Sequence, residues 1–244
     1  MDNLSVLGAG GMRARLQSLE LLANNMANTE TGGYKADREF YSLYASLDAS
    51  PDPVTGETPT LPVIENHWTD LTQGSLRVTD NPLDLAVDGK GLFAVITPRG
   101  VRYTRNGSFK LAADGAMTTL DGSPLRSRAG VKIVLQRDVP FEVLPDGTVN
   151  QAGAAAGRLD LISFDPTSLT KEGANYFAPA AGASKKEADG KILQGKLEGS
   201  NAAPAESAVK LVEIMRQFES LQKAILIGNE INKRAMDEVA RVTQ

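Results

Sequence analysis

The sequence contains no cysteine, which excludes disulfides, thiolate zinc sites and cysteine catalysis and leaves the fold to stand on packing alone. Histidine is almost as scarce. The single imidazole, His67, limits metal binding and acid–base chemistry near neutral pH, where imidazole is the usual ligand and proton shuttle. There is no cationic excess either. With 26 Lys and Arg against 30 Asp and Glu, the net charge is −4, which offers no basic footprint for nucleic acid or an anionic membrane. No apolar run reaches the roughly eighteen residues of a membrane span, and the N-terminus lacks the basic, apolar, small-residue layout of a cleavable signal. If the chain is exported, the expectation is a route that needs no such signal.

What is present falls into three textures. Residues 4–28 and 205–242 carry apolar side chains at helical spacing, almost uninterrupted by proline. Between about 75 and 198 short alternating runs are punctuated by Asp-Gly at 88–89, 114–115, 121–122, 146–147 and 189–190, which are hairpin signals. Phe93 and Val95 should share one face of a strand, with Val101 and Tyr103 returning on the next. Further strands are expected at 131–135, 141–144, 158–164 and 191–197. Residues 48–66 hold four prolines and read as an extended connector or exposed loop. The expected organisation is an N-terminal axial helix and signature segment (1–36), a connector (37–74), a β-rich domain (75–198) and a C-terminal axial helix (199–244). The fold class is thus α+β, with terminal helices pairing as a coiled coil around a domain of short antiparallel strands.

The opening "LSVLGAGGMRARL" has two readings. A dinucleotide-binding turn needs three glycines in fixed places, but Arg13 stands where the third belongs, and no second βαβ unit follows. The helix reading fits better. Ala9, Met12, Leu16, Leu19, Ala23 and Met26 alternate in steps of three and four, the seam of a coiled coil. Gly8, Gly10 and Gly11 then mark a weak, flexible start to the helix, since glycine is costly in helix interiors.

The C-terminal zone keeps the same rhythm through Leu211, Ile214, Phe218, Leu221, Ile225, Gly228, Asn232, Ala235, Val239 and Val242. Pro204 and Glu206 suit a first turn, with Ser200 and Asn201 as candidate caps. Glu219 with Lys223, Glu230 with Arg234, and Asp237 with Arg241 are acid-to-base pairs at the favourable spacing. At about 1.5 Å per residue the later helix spans roughly 57 Å and the earlier roughly 37 Å. Pairing the two therefore leaves part of the longer seam for other copies or another element to cover.

Four segments together carry a family resemblance: "LLANNMANTETGGYKADREF" (21–40), "NPLDLAVDGKGLFAV" (81–95), "YTRNGSFKLAADGAMTTLDGSPL" (103–125) and "LEGSNAAPAESAVKLVEIMRQFESLQKAI" (197–225). In this order they resemble a flagellar basal-body rod protein, most closely the proximal-rod member through "LEGSN" and "NPLDLAV", with the distal-rod member as second choice. The family's N-terminal signature falls on Ala23, Asn24, Asn25, Ala27, Asn28, Thr31, Gly33, Tyr34 and Lys35. The resemblance implies a non-enzymatic axial subunit with paired terminal helices, exported unfolded through the flagellar export apparatus. It implies assembly with other rod subunits and copies of itself into a tube that transmits torque across the periplasm. No cofactor and no small-molecule substrate are expected.

The candidate subunit-interface residues are Met12, Leu16, Leu19, Ala23, Asn24, Asn25, Met26, Asn28, Leu211, Ile214, Phe218, Leu221, Ile225 and Asn232. Two roles are open for the asparagines: fixing register between packed helices, or ending the first helix and capping the turn with Gly32 and Gly33. Lys35, Arg38 and Glu39 read as a solvated or subunit-facing edge. The other function class is a periplasmic cell-wall-acting enzyme with helical assembly tails. Nothing identifies its acid and nucleophile, and His67–Trp68 reads as loop packing. "DGKG" at 88–91 lacks the spacing of a phosphate loop and reads as a hairpin turn.

Overall fold

The computed structural model describes the backbone of residues 3–45 and 60–242, and side chains at 8–39, 68–234, 237 and 241. The chain divides into two compact units: Met1–Met26 with Asp37–Trp68 and Pro204–Gln244, and Ala27–Ala36 with Thr69–Ala203.

The first unit contains helix α1 (Asn3–Ala27), helix α2 (Pro204–Val242) and two strands, Asp37–Ala45 and Thr60–Thr69, which form a two-stranded sheet. Much of the expected connector is therefore β-structure. The proline-rich stretch is divided by this result: residues 48–59 lie outside the described residues, as does the side chain of His67.

The N-terminal seam requires correction. Among the described side chains of α1 the buried ones are Gly8, Gly11, Ala14, Ser18, Leu22 and Asn25, whereas Ala9, Leu16 and Ala23 are exposed and Met12, Leu19 and Met26 half-buried. The buried stripe is the expected one turned by one residue, about 100°. Its first members face α2: a Cβ on Gly8 would stand 2.6 Å from Ile225 Cδ1, and one on Gly11 would stand 3.4 Å from Leu221 Cδ1. As the number rises on α1 it falls on α2, so the helices run antiparallel there. Gly8 and Gly11 are thus not a flexible start. They lie inside a continuous helix, where the missing side chain allows close backbone approach. A seam read from hydrophobicity alone undervalues glycine, alanine and serine, which pack by being small.

On α2 the expected stripe is where the inward side chains lie. Leu211, Ile214, Phe218, Leu221, Ile225 and Asn232 are half-buried and Gly228 is buried, while most residues between them are exposed. The side chains of Ala235, Val239 and Val242 are outside the described residues. A second apolar set on α2, Val209, Val212, Met215, Leu226, Ile227 and Ile231, is at least half exposed. The surface pair Glu230–Arg234 forms at 2.5 Å.

The second unit is built on a six-stranded sheet in the order Leu169–Lys171, Tyr176–Pro179, Gly100–Thr104, Leu92–Thr97, Leu161–Ser163, Lys186–Glu187, with every described pairing antiparallel. Strand Leu92–Thr97 is buried on both faces: Phe93 and Val95 enter one cluster with Leu85, Met117, Leu125 and Ile133, and Leu92 and Ala94 enter another with Tyr103 and Phe177. The pairing of Ala94 with Tyr103 and of Ile96 with Val101 puts Tyr103 and Val101 on the face opposite Phe93 and Val95. Register decides this, because neighbouring side chains on a strand point to opposite faces. Residues 131–135 make only isolated bridges, whereas Phe141–Val143, Leu161–Ser163, Lys191–Gln194 and Lys196–Glu198 are strands.

Candidate functional site

The second unit brings together three stretches that lie far apart in sequence: 31–36, which follows α1; 69–75; and 198–202, which precedes α2. After α1 the chain turns twice, with Thr31 donating to the carbonyl of Asn28 at 3.2 Å and Tyr34 to that of Thr31 at 3.2 Å. The Thr31 hydroxyl also reaches Asn28 Oδ1. Gly33 then adopts a left-handed conformation, φ 68°, in which its N–H donates to the carbonyl of Glu198 at 2.7 Å.

Asn201 stands in for a missing strand. Its Oδ1 accepts from Ala36 N–H at 2.7 Å, its Nδ2 donates to the Asp70 carbonyl at 2.7 Å, and Asp70 N–H donates to the Ala36 carbonyl at 2.9 Å. The amide side chain, with its own donor and acceptor, stitches 36 to 70 and so does not cap α2; Ser200 instead accepts from Ala202 N–H. The hairpin around 171–176 holds the turn from outside. Lys171 Nζ lies 4.4 Å from the centre of the buried Tyr34 ring and donates to the Lys35 carbonyl, and Asn175 Nδ2 donates to the Gly32 carbonyl at 3.2 Å.

At the centre is an ionic group with almost no solvent contact. The Glu198 carboxylate accepts from Lys35 Nζ at 2.5 Å, from Arg105 Nε at 2.5 Å and from Gly74 N–H at 2.9 Å. Side-chain exposure is 1% for Lys35, 3% for Arg105 and 0% for Glu198. Lys35 also donates to the Thr72 carbonyl at 2.6 Å. Arg105 uses its remaining N–H groups on the carbonyls of Val87 and Gly89, at 2.7 Å each, and of Gly91. The "DGKG" turn is therefore the cradle of an arginine. Lys35, read from the sequence as part of a solvated edge, is one of the most buried side chains in the protein.

Burial pushes the Lys35 ammonium below its usual range, and the charge and hydrogen bond of Glu198 oppose that push without cancelling it. The sign follows. With the folded value below the unfolded 10.5, the unfolded chain holds more protons between the two, so stability rises with pH across that window. Wild type minus Lys35→Met stability, from urea titrations at pH 8 and pH 10, should therefore grow toward pH 10. A difference that shrinks would mean that folding favours the charged lysine.

The other sequence-derived candidates are dispersed. Asn24 is exposed. Asn25 is buried in the first unit, where its side chain donates to the Asp37 carbonyl at 2.9 Å and accepts from Asp37 N–H at 3.0 Å. Asn28 is half-buried at the turn, and Leu221 and Ile225 meet α1 of their own chain. Arg105 and Glu198 escaped the sequence reading. Their separation of 93 residues, and that of 163 between Lys35 and Glu198, leaves no local pattern to betray them.

Comparison with known proteins adds a consistent result. Residues 86–151 match the family model "Flagellar hook protein FlgE/F/G D1 domain", and residues 193–238 match "Flagellar basal body rod FlgEFG protein C-terminal". The chain is 31% identical over 246 residues to the flagellar basal-body rod protein FlgF of Caulobacter vibrioides, covering 99% of this chain and 100% of the relative. It is 28% identical to FlgF of Salmonella typhimurium, over 96% of this chain and 97% of that one. With FlgG of Bacillus subtilis it shares 28% identity over 92% and 94%.

Proposed function

The chain belongs to the flagellar basal-body rod protein family, and on that premise we propose that it polymerises through its two terminal helices into the torque-transmitting rod that crosses the periplasm. It is a structural subunit of the FlgF/FlgG type. The cell-wall enzyme alternative gains no support from any of these relatives.

The observation that carries the assembly reading is the apolar surface on the helices. Leu16 on α1 and Val209, Val212, Met215, Leu226, Ile227 and Ile231 on α2 are each half or more exposed. Among the described residues no helix is long and apolar enough to cross a membrane, so a bilayer-spanning role does not account for them. Exposed apolar surface on this scale marks an interaction site. The antiparallel register adds that, with Gly8 opposite Ile225 and Gly11 opposite Leu221, the start of α1 falls near residue 230 of α2. We assign these surfaces to neighbouring rod subunits, and the inner stripe to coiled-coil pairing within the chain. Passage through the export apparatus without a cleaved signal, and a position in the proximal rod, complete the reading.

Leu221→Asp with Ile225→Asp tests it. Two charges placed against Gly8 and Gly11 oppose the helix pair. The expected result is a soluble protein whose second unit melts as before, with rod growth stopped at this subunit and motility lost. Glu206→Gln is the control, since it removes only an exposed pair to Lys210 worth little. Normal swimming by the double variant would overturn the helix-driven assembly. Deleting the gene and finding where basal-body assembly stops decides between proximal and distal rod.

A further inference from the structure

We propose that the Lys35–Glu198–Arg105 group and the strands around it form a latch, which closes last in folding, opens as one piece, and fixes or frees together the segments leading to α1 and α2. Its three stretches are tied to one another across long sequence separations. Gly33 hangs on the Glu198 carbonyl, Gly74 on the Glu198 carboxylate and Ala36 on Asn201. Gly199 N–H donates to the Ser75 carbonyl at 2.8 Å, and strand Lys196–Glu198 pairs with Leu76–Val78. The main core cluster draws on residues between Leu85 and Ile192 and includes none of the three latch stretches. Formation of that core does not, by this partition, require the latch.

The charges set the order of events. Docking residues 31–36 before Glu198 arrives would bury Lys35 beside Arg105 with only the weaker field of Asp70 to offset the two charges, and an under-compensated buried charge is strongly unfavourable. The partner is 163 residues away, so the chain also has a long loop to close. A chain made from its N-terminus thus keeps its signature segment undocked until just over four-fifths of the sequence is available. The same coupling works in reverse: withdrawing Glu198 removes an acceptor from Gly33, Lys35, Gly74 and Arg105 in one step. Local opening in cooperative pieces of this kind is measurable by amide exchange.

The test uses the full-length protein. Refolding from urea with pulsed hydrogen exchange should show the amides of Met117 and Leu125 protected first, and those of Gly33, Ala36, Gly74 and Gly199 protected later, in a single common phase. In native exchange these latch amides should share one opening constant. Glu198→Gln should raise that constant by about tenfold to a hundredfold, the worth of hydrogen bonds to a charged group, with Met117 and Leu125 unchanged. Simultaneous protection of both sets would overturn the proposal. So would a Glu198→Gln effect confined to Gly33 and Gly74, or one spread equally over the whole unit. If Glu198→Gln does not fold, Lys35→Met, which leaves Glu198 paired with Arg105, is read by the same criteria.

Discussion

Replacing Glu198 by alanine is expected to lower the stability of the second unit by roughly 3–5 kcal/mol, the cost of removing one partner from a buried ionic group. The expectation rests on what is left behind. Lys35 and Arg105, exposed by 1% and 3% at their side chains, would face each other across a cavity, and Gly74 N–H would lose its acceptor. Lys35 would keep the Thr72 carbonyl, and Arg105 the carbonyls of Val87, Gly89 and Gly91, but carbonyl dipoles do not neutralise two like charges. Lys35→Met should be much milder, because Glu198 then keeps Arg105 and Gly74. Equilibrium urea unfolding followed in the second unit measures both. A loss of less than about 1 kcal/mol for Glu198→Ala, the scale of an exposed ion pair, would show that water reaches the site and screens it.

Gly33→Ala is expected to be at least as damaging, on the order of 4 kcal/mol or more, which places it among the exceptional single substitutions. Two effects combine. A left-handed backbone costs a side-chain-bearing residue about 1–2 kcal/mol, and Gly33 has φ 68°. Beyond that, the new Cβ would stand 2.4 Å from the carbonyl carbon of Arg105 and 2.4 Å from the nitrogen of Asn106. Both are backbone atoms, so no side chain can swing aside. The backbone at Arg105 and Asn106 would have to move, and the bond from Gly33 to Glu198 would go with it. Gly122→Ala separates the two effects, since Gly122 has φ 93° but nothing within 4 Å of its added Cβ. Thermal melts should show a small loss for Gly122→Ala and a several-fold larger one for Gly33→Ala. Equal losses would mean that the collision relaxes and only the backbone conformation matters.

Features that depend on residues close in sequence were legible without coordinates. The start of α2 at Pro204, its inward stripe from Leu211 to Asn232 and most of the Asp-Gly turns follow from spacing and local backbone preference. Four of those turn glycines, Gly89, Gly115, Gly122 and Gly147, have φ between 78° and 98°, a conformation that glycine adopts freely. The phase of α1 was not legible. Hydrophobicity selected Met12, Leu16 and Leu19, while the buried stripe runs through Gly8, Gly11, Ala14 and Ser18, and only the position of the elements packed on α1 decides which criterion applies.

The sequence alone therefore determined the class of the protein, its helical ends and β-rich middle, and its family resemblance, because each of these is written in short-range patterns or in ordered segments. The latch was decided only in three dimensions. Lys35 is a solvated lysine by every local rule, and it becomes a buried ion because the fold brings Glu198 and Arg105 to it. A charge can be taken out of water only when its partner is supplied with matching geometry, and that partner is placed by the topology of the whole unit.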